Sequence, residues 1–162
     1  MGYTNVGWEG IAMDWKSTSG CCFSIRSGTI SWYSRKENSV ALSSVEAEYM
    51  AARMVACEAI WLQKLVAALF GKEIESTIIH YDNQSCITLS ENPVFYDQSK
   101  HIDTRYHFIR DHVQRGSIWL HYVPTREQVA DILTKALTKG RFVFFKDKLG
   151  VVENTFLTKR EC

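Results

Sequence analysis

The chain has 162 residues, one domain's worth, of which 46% are apolar and 23% charged, with a net charge of +1. That composition excludes a disordered or low-complexity protein, and no apolar stretch reaches the ~20 residues that a membrane span needs. Near-neutral charge also excludes a generically basic nucleic-acid binder, so any such contact has to come from a local patch.

In chain order, Tyr3 to Trp8 reads as a strand that begins almost at the first residue, so further sequence is expected upstream. The start itself, Met1-Gly2-Tyr3-Thr4, lacks the basic-then-apolar pattern of a secretion signal. Cys21 to Arg26 and Thr29 to Ser34 alternate Phe23 with Ile25 and Ile30 with Trp32. Ser27-Gly28 between them makes the pair a hairpin with a tight turn. Ser43 to Phe70 has no Gly or Pro, carries a capping box in Ser43 and Glu46, and meets Gly71 as its stop. A helix that apolar is expected to pack on more than one side.

Ser76 to Tyr81 reads as a strand ending at Asp82, and Asn83 onward as a short helix that stops before Pro93. His101 to Arg115 is helical by pattern, with Ile102, Tyr106, Ile109 and Val113 on a core stripe. A second stripe carries His101, Arg105, Phe108, His112 and Arg115: a solvated face or a contact for backbone phosphates. Gly116 ends it, Ser117 to Val123 alternates as a strand, and Thr125 is placed to cap a helix from Arg126 to Leu137. A last helix runs from Arg141 to Leu149, and the tail from Val151 to Cys162 is ambiguous. This order predicts an α/β domain whose sheet is antiparallel first and parallel later.

The five cysteines, Cys21, Cys22, Cys57, Cys86 and Cys162, are odd in number and form no C-x-x-C pair. They fit neither a disulfide framework nor a zinc site and read as thiols of a reducing, intracellular setting, cytoplasmic or nuclear. Nor do His101, His107 and His112 suit zinc: His107 points away from the other two, which lie roughly 16 Å apart along a helix. Three acidic residues stand in more telling places. Asp82 ends a strand, Glu48 lies in the first turns of the long helix, and Asp131 follows the last strand. Carboxylates gathered from separate elements repel unless a cation lies between them, and hard oxygens suit magnesium in a two-metal phosphoryl-transfer site. The plainer alternative is caps and surface charges.

Several segments then resemble one family. They are Lys16-Ser17-Thr18-Ser19-Gly20, Val40-Ala41-Leu42-Ser43-Ser44-Val45-Glu46-Ala47-Glu48-Tyr49 and Tyr81-Asp82-Asn83-Gln84-Ser85. Lys100-His101-Ile102-Asp103 with Tyr106-His107-Phe108-Ile109-Arg110 follows, then Tyr122-Val123-Pro124-Thr125 and Gln128-Val129-Ala130-Asp131-Ile132-Leu133-Thr134-Lys135. In this order, over nearly the whole chain, they resemble the ribonuclease H domain that follows reverse transcriptase in copia-type retrotransposon polyproteins, most like plant copies. The resemblance implies a ribonuclease H-like α/β fold, with a five-stranded mixed sheet of order 3-2-1-4-5 flanked by helices. It spans residues 1–150, with 151–162 as a tail.

The implied activity is endonucleolytic hydrolysis of RNA in RNA–DNA hybrids, dependent on Mg2+ or Mn2+. Glu48, Asp82 and Asp131 match three of the family's four metal-holding carboxylates. The fourth, an Asp on the first strand, is Asn5 here, and a nearby acidic position is Gly7. Asn offers one neutral carbonyl oxygen and cannot bridge two cations as a carboxylate does. Glu9, roughly 13 Å further along an extended strand, does not substitute. Asn5 is either natural drift, which Gly7 beside it favours, or a designed inactivation. The expected substrate-binding residues are His101, Arg105, His112, Arg115, Asn83 and Gln84, the partner being an RNA–DNA hybrid or another duplex. The expectation is thus a retrotransposon-derived ribonuclease H domain with an impaired site. The alternative is a pseudoenzyme that binds nucleic acid or a host protein partner.

Overall fold

The computed structural model describes residues 1–7, 17–26, 28–37, 44–91 and 100–152, and of 44–46, 89 and 100–106 the backbone only. Strands β1 (Gly2–Gly7), β2 (Thr18–Ile25), β3 (Gly28–Lys36), β4 (Thr77–Tyr81) and β5 (Ile118–Tyr122) form one sheet in the spatial order β3-β2-β1-β4-β5. This is the order that the motifs imply. β1 to β3 pair antiparallel, and β4 pairs parallel with both β1 and β5. Helices α1 (Ser44–Phe70), α2 (Gln84–Glu91), α3 (Lys100–Gln114) and α4 (Lys139–Lys148) flank it.

The strand directions decide where chemistry can gather. β1, β3, β4 and β5 run one way and β2 the other, so α1, following β3, starts at the edge where β1, β4 and β5 end. One face of the sheet is covered by α1 and α3. Ala52, Val55, Ala56, Ala59 and Leu62 of α1 pack there on Phe23, Ile79, Tyr81, Ile109 and Ile118. On the other face Cys22, Val129 and Phe145 form a smaller core under α4. β2 is sandwiched between the two, which is why Cys21, Cys22 and Phe23 are all buried in succession. The expectation that α1 packs on more than one side holds for its first turns, while Trp61, Leu69 and Phe70 emerge into solvent.

Several details differ from the sequence reading. The hairpin's left-handed residue is Arg26, φ 55°, and Gly28 already belongs to β3. Ile30 and Trp32 face outward, exposed, while Ser31 turns inward to donate to Glu58 at 2.8 Å. The stop at Gly116 is as expected: with φ 72° it lets Ser117 donate to the His112 carbonyl at 3.0 Å and closes α3.

The helix read from Arg126 to Leu137 does not form. Two 3₁₀ helices, Thr125–Glu127 and Val129–Leu133, take its place, parted by Gln128 in an extended conformation. α4 begins at Lys139, two residues before the expected Arg141. Ser43, the Glu46 side chain, Glu9, Pro93 and the tail beyond Val152 lie outside the described residues. No described helix is long and apolar enough to cross a membrane.

Candidate active site

Three acidic side chains reach the carboxyl edge of the sheet from different elements. Asp82 directly follows β4, half-buried, and its Oδ2 accepts a hydrogen bond from Thr125 Oγ1 at 3.2 Å, just past β5. Glu48 enters from the first turns of α1. Beneath it lies Tyr81, the fully buried last residue of β4, whose hydroxyl stands 2.6 Å from Glu48 Oε2 and 2.6 Å from the Glu48 carbonyl. Asn83 donates to Glu48 as well, while its Oδ1 accepts from the Cys86 amide at 3.2 Å and so caps α2.

Burial pushes Glu48 above the ordinary carboxylate range, and repulsion from Asp82 adds to it. The Tyr81 and Asn83 hydrogen bonds and the charge of Lys135 work the other way. Asp82 is also raised, first by burial and then by the charge of Asp131, against the Thr125 hydrogen bond and Lys135. Glu48 and Asp82 thus face each other at a cost that a hard divalent cation would relieve.

Asp131 is arranged differently. Gln128 fixes its place: the buried amide donates from Nε2 to the Thr4 carbonyl at 2.8 Å, and its Oε1 accepts from the Ala130 amide at 3.3 Å. The second 3₁₀ helix is thereby pinned across β1, with Asp131 at 0% exposure. Opposite it on β1, Asn5 donates its side-chain amide to Asp131 Oδ1. Asn5 Oδ1 accepts from the Val6 amide at 2.8 Å. Asp131 Oδ2 accepts from Lys135 Nζ at 3.0 Å and from the Arg141 guanidinium at 2.9 Å.

Glu48 and Asp82 are hard oxygen donors, the donor type that suits a magnesium- or manganese-like ion. Asp131 does not meet them as a free third ligand: among the described residues, no three His, Cys, Asp or Glu side chains converge as a metal-binding group. Gly7, at the second acidic position of the motif, has no room for a carboxylate. A Cβ there would stand 2.7 Å from the Thr134 carbonyl oxygen.

The remaining candidates divide between the two edges of the sheet. Asn83 and the exposed Gln84 open α2 beside Asp82. His112 and Arg115 lie at the opposite edge, where α3 gives way to β5. There Ser117 accepts from Gln63, which lies about 22 Å along α1 from Glu48. Arg115 pairs with Asp111 at 2.9 Å, and His112 packs edge-on against Phe108 with ring centroids 4.6 Å apart. Phe108 itself leans on the core, so the second stripe of α3 is not one continuous solvated face. His101 and Arg105 belong to the first turns of α3, and their side chains lie outside the described residues.

The residues that sequence reasoning missed are Tyr81, Thr125, Gln128, Lys135 and Arg141. Lys135, four positions after Asp131, carried the one local signal, an i,i+4 acid–base pair.

No family model matches the chain. The retrovirus-related Pol polyprotein from transposon TNT 1-94 of Nicotiana tabacum is 38% identical over 153 residues, 94% of this chain and 11% of that protein. The Pol polyprotein from transposon RE2 of Arabidopsis thaliana is 37% identical over 151 residues, 93% of this chain and 10% of that protein. The chain thus spans about a tenth of the length of the curated relatives it matches. Among solved structures, the N-terminal RNase H domain of a Mycobacterium tuberculosis protein aligns with TM-score 0.58 at 12% identity, covering 90% of this chain and 94% of that one. LC11-RNase H1, solved in complex with an RNA/DNA hybrid, aligns with TM-score 0.52 at 13% identity, covering 82% and 91%. Fold and sequence agree: the chain is a ribonuclease H-like domain homologous to one segment of the retrovirus-related Pol polyproteins of plant transposons.

Proposed function

We propose that this domain binds RNA–DNA hybrid, or a duplex of similar shape, at the edge formed by Glu48, Asp82 and the start of α2, and that its hydrolytic capacity is impaired. The homologous Pol segment and a hybrid-bound neighbour of the same fold support the substrate class. A single observation carries the impairment. Asn5 stands where the family has a carboxylate: it carries no charge, and its one oxygen cannot bridge two cations as a carboxylate does. Its oxygen accepts from Val6 and its amide is given to Asp131.

Glu48 and Asp82 are the residues that would hold a divalent cation. Such an ion supplies charge stabilisation to phosphoryl oxygens in the transition state. The chain's own groups prepare the place. Tyr81 and Asn83 orient Glu48 from below and beside it, and Thr125 orients Asp82. Gln84 and the first turn of α2 stand next to these carboxylates, positioned for the phosphate backbone of a duplex. His101 and Arg105 extend the proposed contact along α3.

The test is cleavage of a labelled hybrid with Mg2+ or Mn2+ by the unmodified chain and by Asn5→Asp. A carboxylate restored at residue 5 is expected to raise the rate by roughly 10²–10³-fold, the scale of one electrostatic group in such a site. Equal rates for the two proteins would refute the impairment. Absence of cleavage by both, with hybrid binding retained, favours the binding-module reading.

A further inference from the structure

Two cations, Lys135 and Arg141, converge on a single oxygen of Asp131, from 3.0 and 2.9 Å. The other oxygen is taken by the Asn5 amide. The carboxylate has no exposed surface. It is also held from three separate places: Asn5 on β1, Lys135 just past its own 3₁₀ helix, and Arg141 in the first turn of α4. Arg141 is anchored further by a second hydrogen bond, 3.0 Å to the Thr125 carbonyl, and its guanidinium lies 5.4 Å over the Phe145 ring. Lys135 reaches beyond Asp131, since its charge is felt at both Glu48 and Asp82. Three carboxylates thus come with two resident cations, and one carboxylate is fully compensated before any metal arrives.

We propose that Lys135 and Arg141 form a built-in counter-ion pair that closes Asp131 to metal, so that Asp131 is a structural carboxylate and the site takes one divalent cation, between Glu48 and Asp82. The physical reason begins at residue 5. A carboxylate there would repel Asp131, and a cation shared between the two would relieve the repulsion. An amide there donates to Asp131 instead, and removes the need for that cation. Lys135 and Arg141 keep about a third of their side chains in solvent, so admitting a metal costs the two charge-assisted contacts that they make to the fully buried Asp131 carboxylate. The proposal rests on Glu48 and Asp82 holding a cation, but not on the chain cleaving anything, so its test counts ions and leaves cleavage aside.

The experiment measures Mn2+ bound per chain, from the electron paramagnetic resonance signal of free Mn2+, on the full 162-residue protein. The unmodified chain is expected to bind one Mn2+, and Glu48→Gln to weaken it by at least about tenfold. The decisive variant is the charge-balanced pair Asp131→Asn with Lys135→Met, which removes one charge of each sign. It is expected to keep the Mn2+ affinity within about threefold, because no ligand is lost. The complementary variant, Asn5→Asp with Lys135→Met and Arg141→Met, restores the carboxylate opposite Asp131, removes both cations and is expected to gain a second Mn2+. Two Mn2+ on the unmodified chain, no Mn2+ at all, or a tenfold loss in the charge-balanced pair would each overturn the proposal. Should that pair fail to fold, the complementary variant decides alone: a second ion supports the proposal and its absence overturns it.

Discussion

Tyr81 and Glu48 illustrate how much one buried side chain decides. The phenol is sealed from solvent, burial holds it protonated, and its hydroxyl has the Glu48 carboxylate and carbonyl within reach. That hydrogen bond opposes the burial and the Asp82 charge that raise Glu48, yet the net shift of Glu48 is upward. An acid whose folded pKa lies above its unfolded one binds protons more readily in the native state. Its stabilising contribution is therefore complete below the ordinary value of 4.5 and is lost as pH rises through the folded value. Glu48→Gln is accordingly expected to melt higher than the parent at pH 7 without divalent cations, and the gap to close as pH falls toward 4.5. Melting curves across that range, in chelator, check it; a variant that melts lower at pH 7 would contradict the account. Asn5 shows the converse case. Sequence alone identifies the missing carboxylate, but only the fold reveals that the replacing amide has turned into a donor for Asp131.

At the scale of elements, the close approach of the second 3₁₀ helix to β1 and β2 is what builds this half of the site. It requires glycine at two strand positions. A Cβ on Gly7 would stand 2.7 Å from the Thr134 carbonyl oxygen, and one on Gly20 2.7 Å from Thr134 Cγ2 and 2.8 Å from Leu133 Cβ. Gly140, near the start of α4, has nothing within 4 Å of such an atom. Gly7→Ala is therefore expected to cost about 1–3 kcal/mol through overpacking against backbone. Gly140→Ala is expected to stabilise by about 0.5–1 kcal/mol through helix propensity. Urea denaturation of the two variants beside the parent checks both, and equal effects would mean that the 3₁₀ segment moves away freely.

The same segment marks where sequence reading stopped. Val129, Ile132 and Leu133 carry the i, i+3, i+4 spacing of an α-helix, and that spacing does not distinguish an α-helix from a short 3₁₀ run. What breaks the helix is Gln128, extended so that its amide can bridge to Thr4, a residue 124 positions away in sequence. Strands and long helices were legible because their periodicity is local and their stops are glycines. The outward turn of Ile30 and Trp32 was not, because alternation reports two faces without saying which is covered.

For the whole molecule, a net charge of +1 conceals an internal division. The carboxyl edge of the sheet carries Glu48, Asp82 and Asp131 with Lys135 and Arg141 already set against them. The carboxylates were legible because each sits in a short sequence motif. Of the cations, Lys135 left only its i,i+4 spacing to Asp131, and Arg141 left nothing, since it acts on a residue ten positions earlier only once α4 has packed. The basic positions of α3 straddle the length of the helix. Its first turns hold His101 and Arg105, while its last turn, with His112 and Arg115, belongs to the far edge, and Arg115 is already paired with Asp111.

A duplex lying over Glu48 and Asp82 is therefore expected to use the first turns of α3 and not the last. Hybrid affinity measured from low to moderate salt by fluorescence anisotropy separates the two ends. Arg105→Ala is expected to weaken binding and to reduce the salt slope by about 1, as one fewer phosphate is neutralised by the protein. Arg115→Ala is expected to leave both the slope and the affinity unchanged within about twofold, because an exposed pair at a distant edge releases no counter-ion from the duplex. Equal losses at the two positions would mean that the duplex tracks the full length of α3. The sheet edge would then be one end of the binding surface and not its centre.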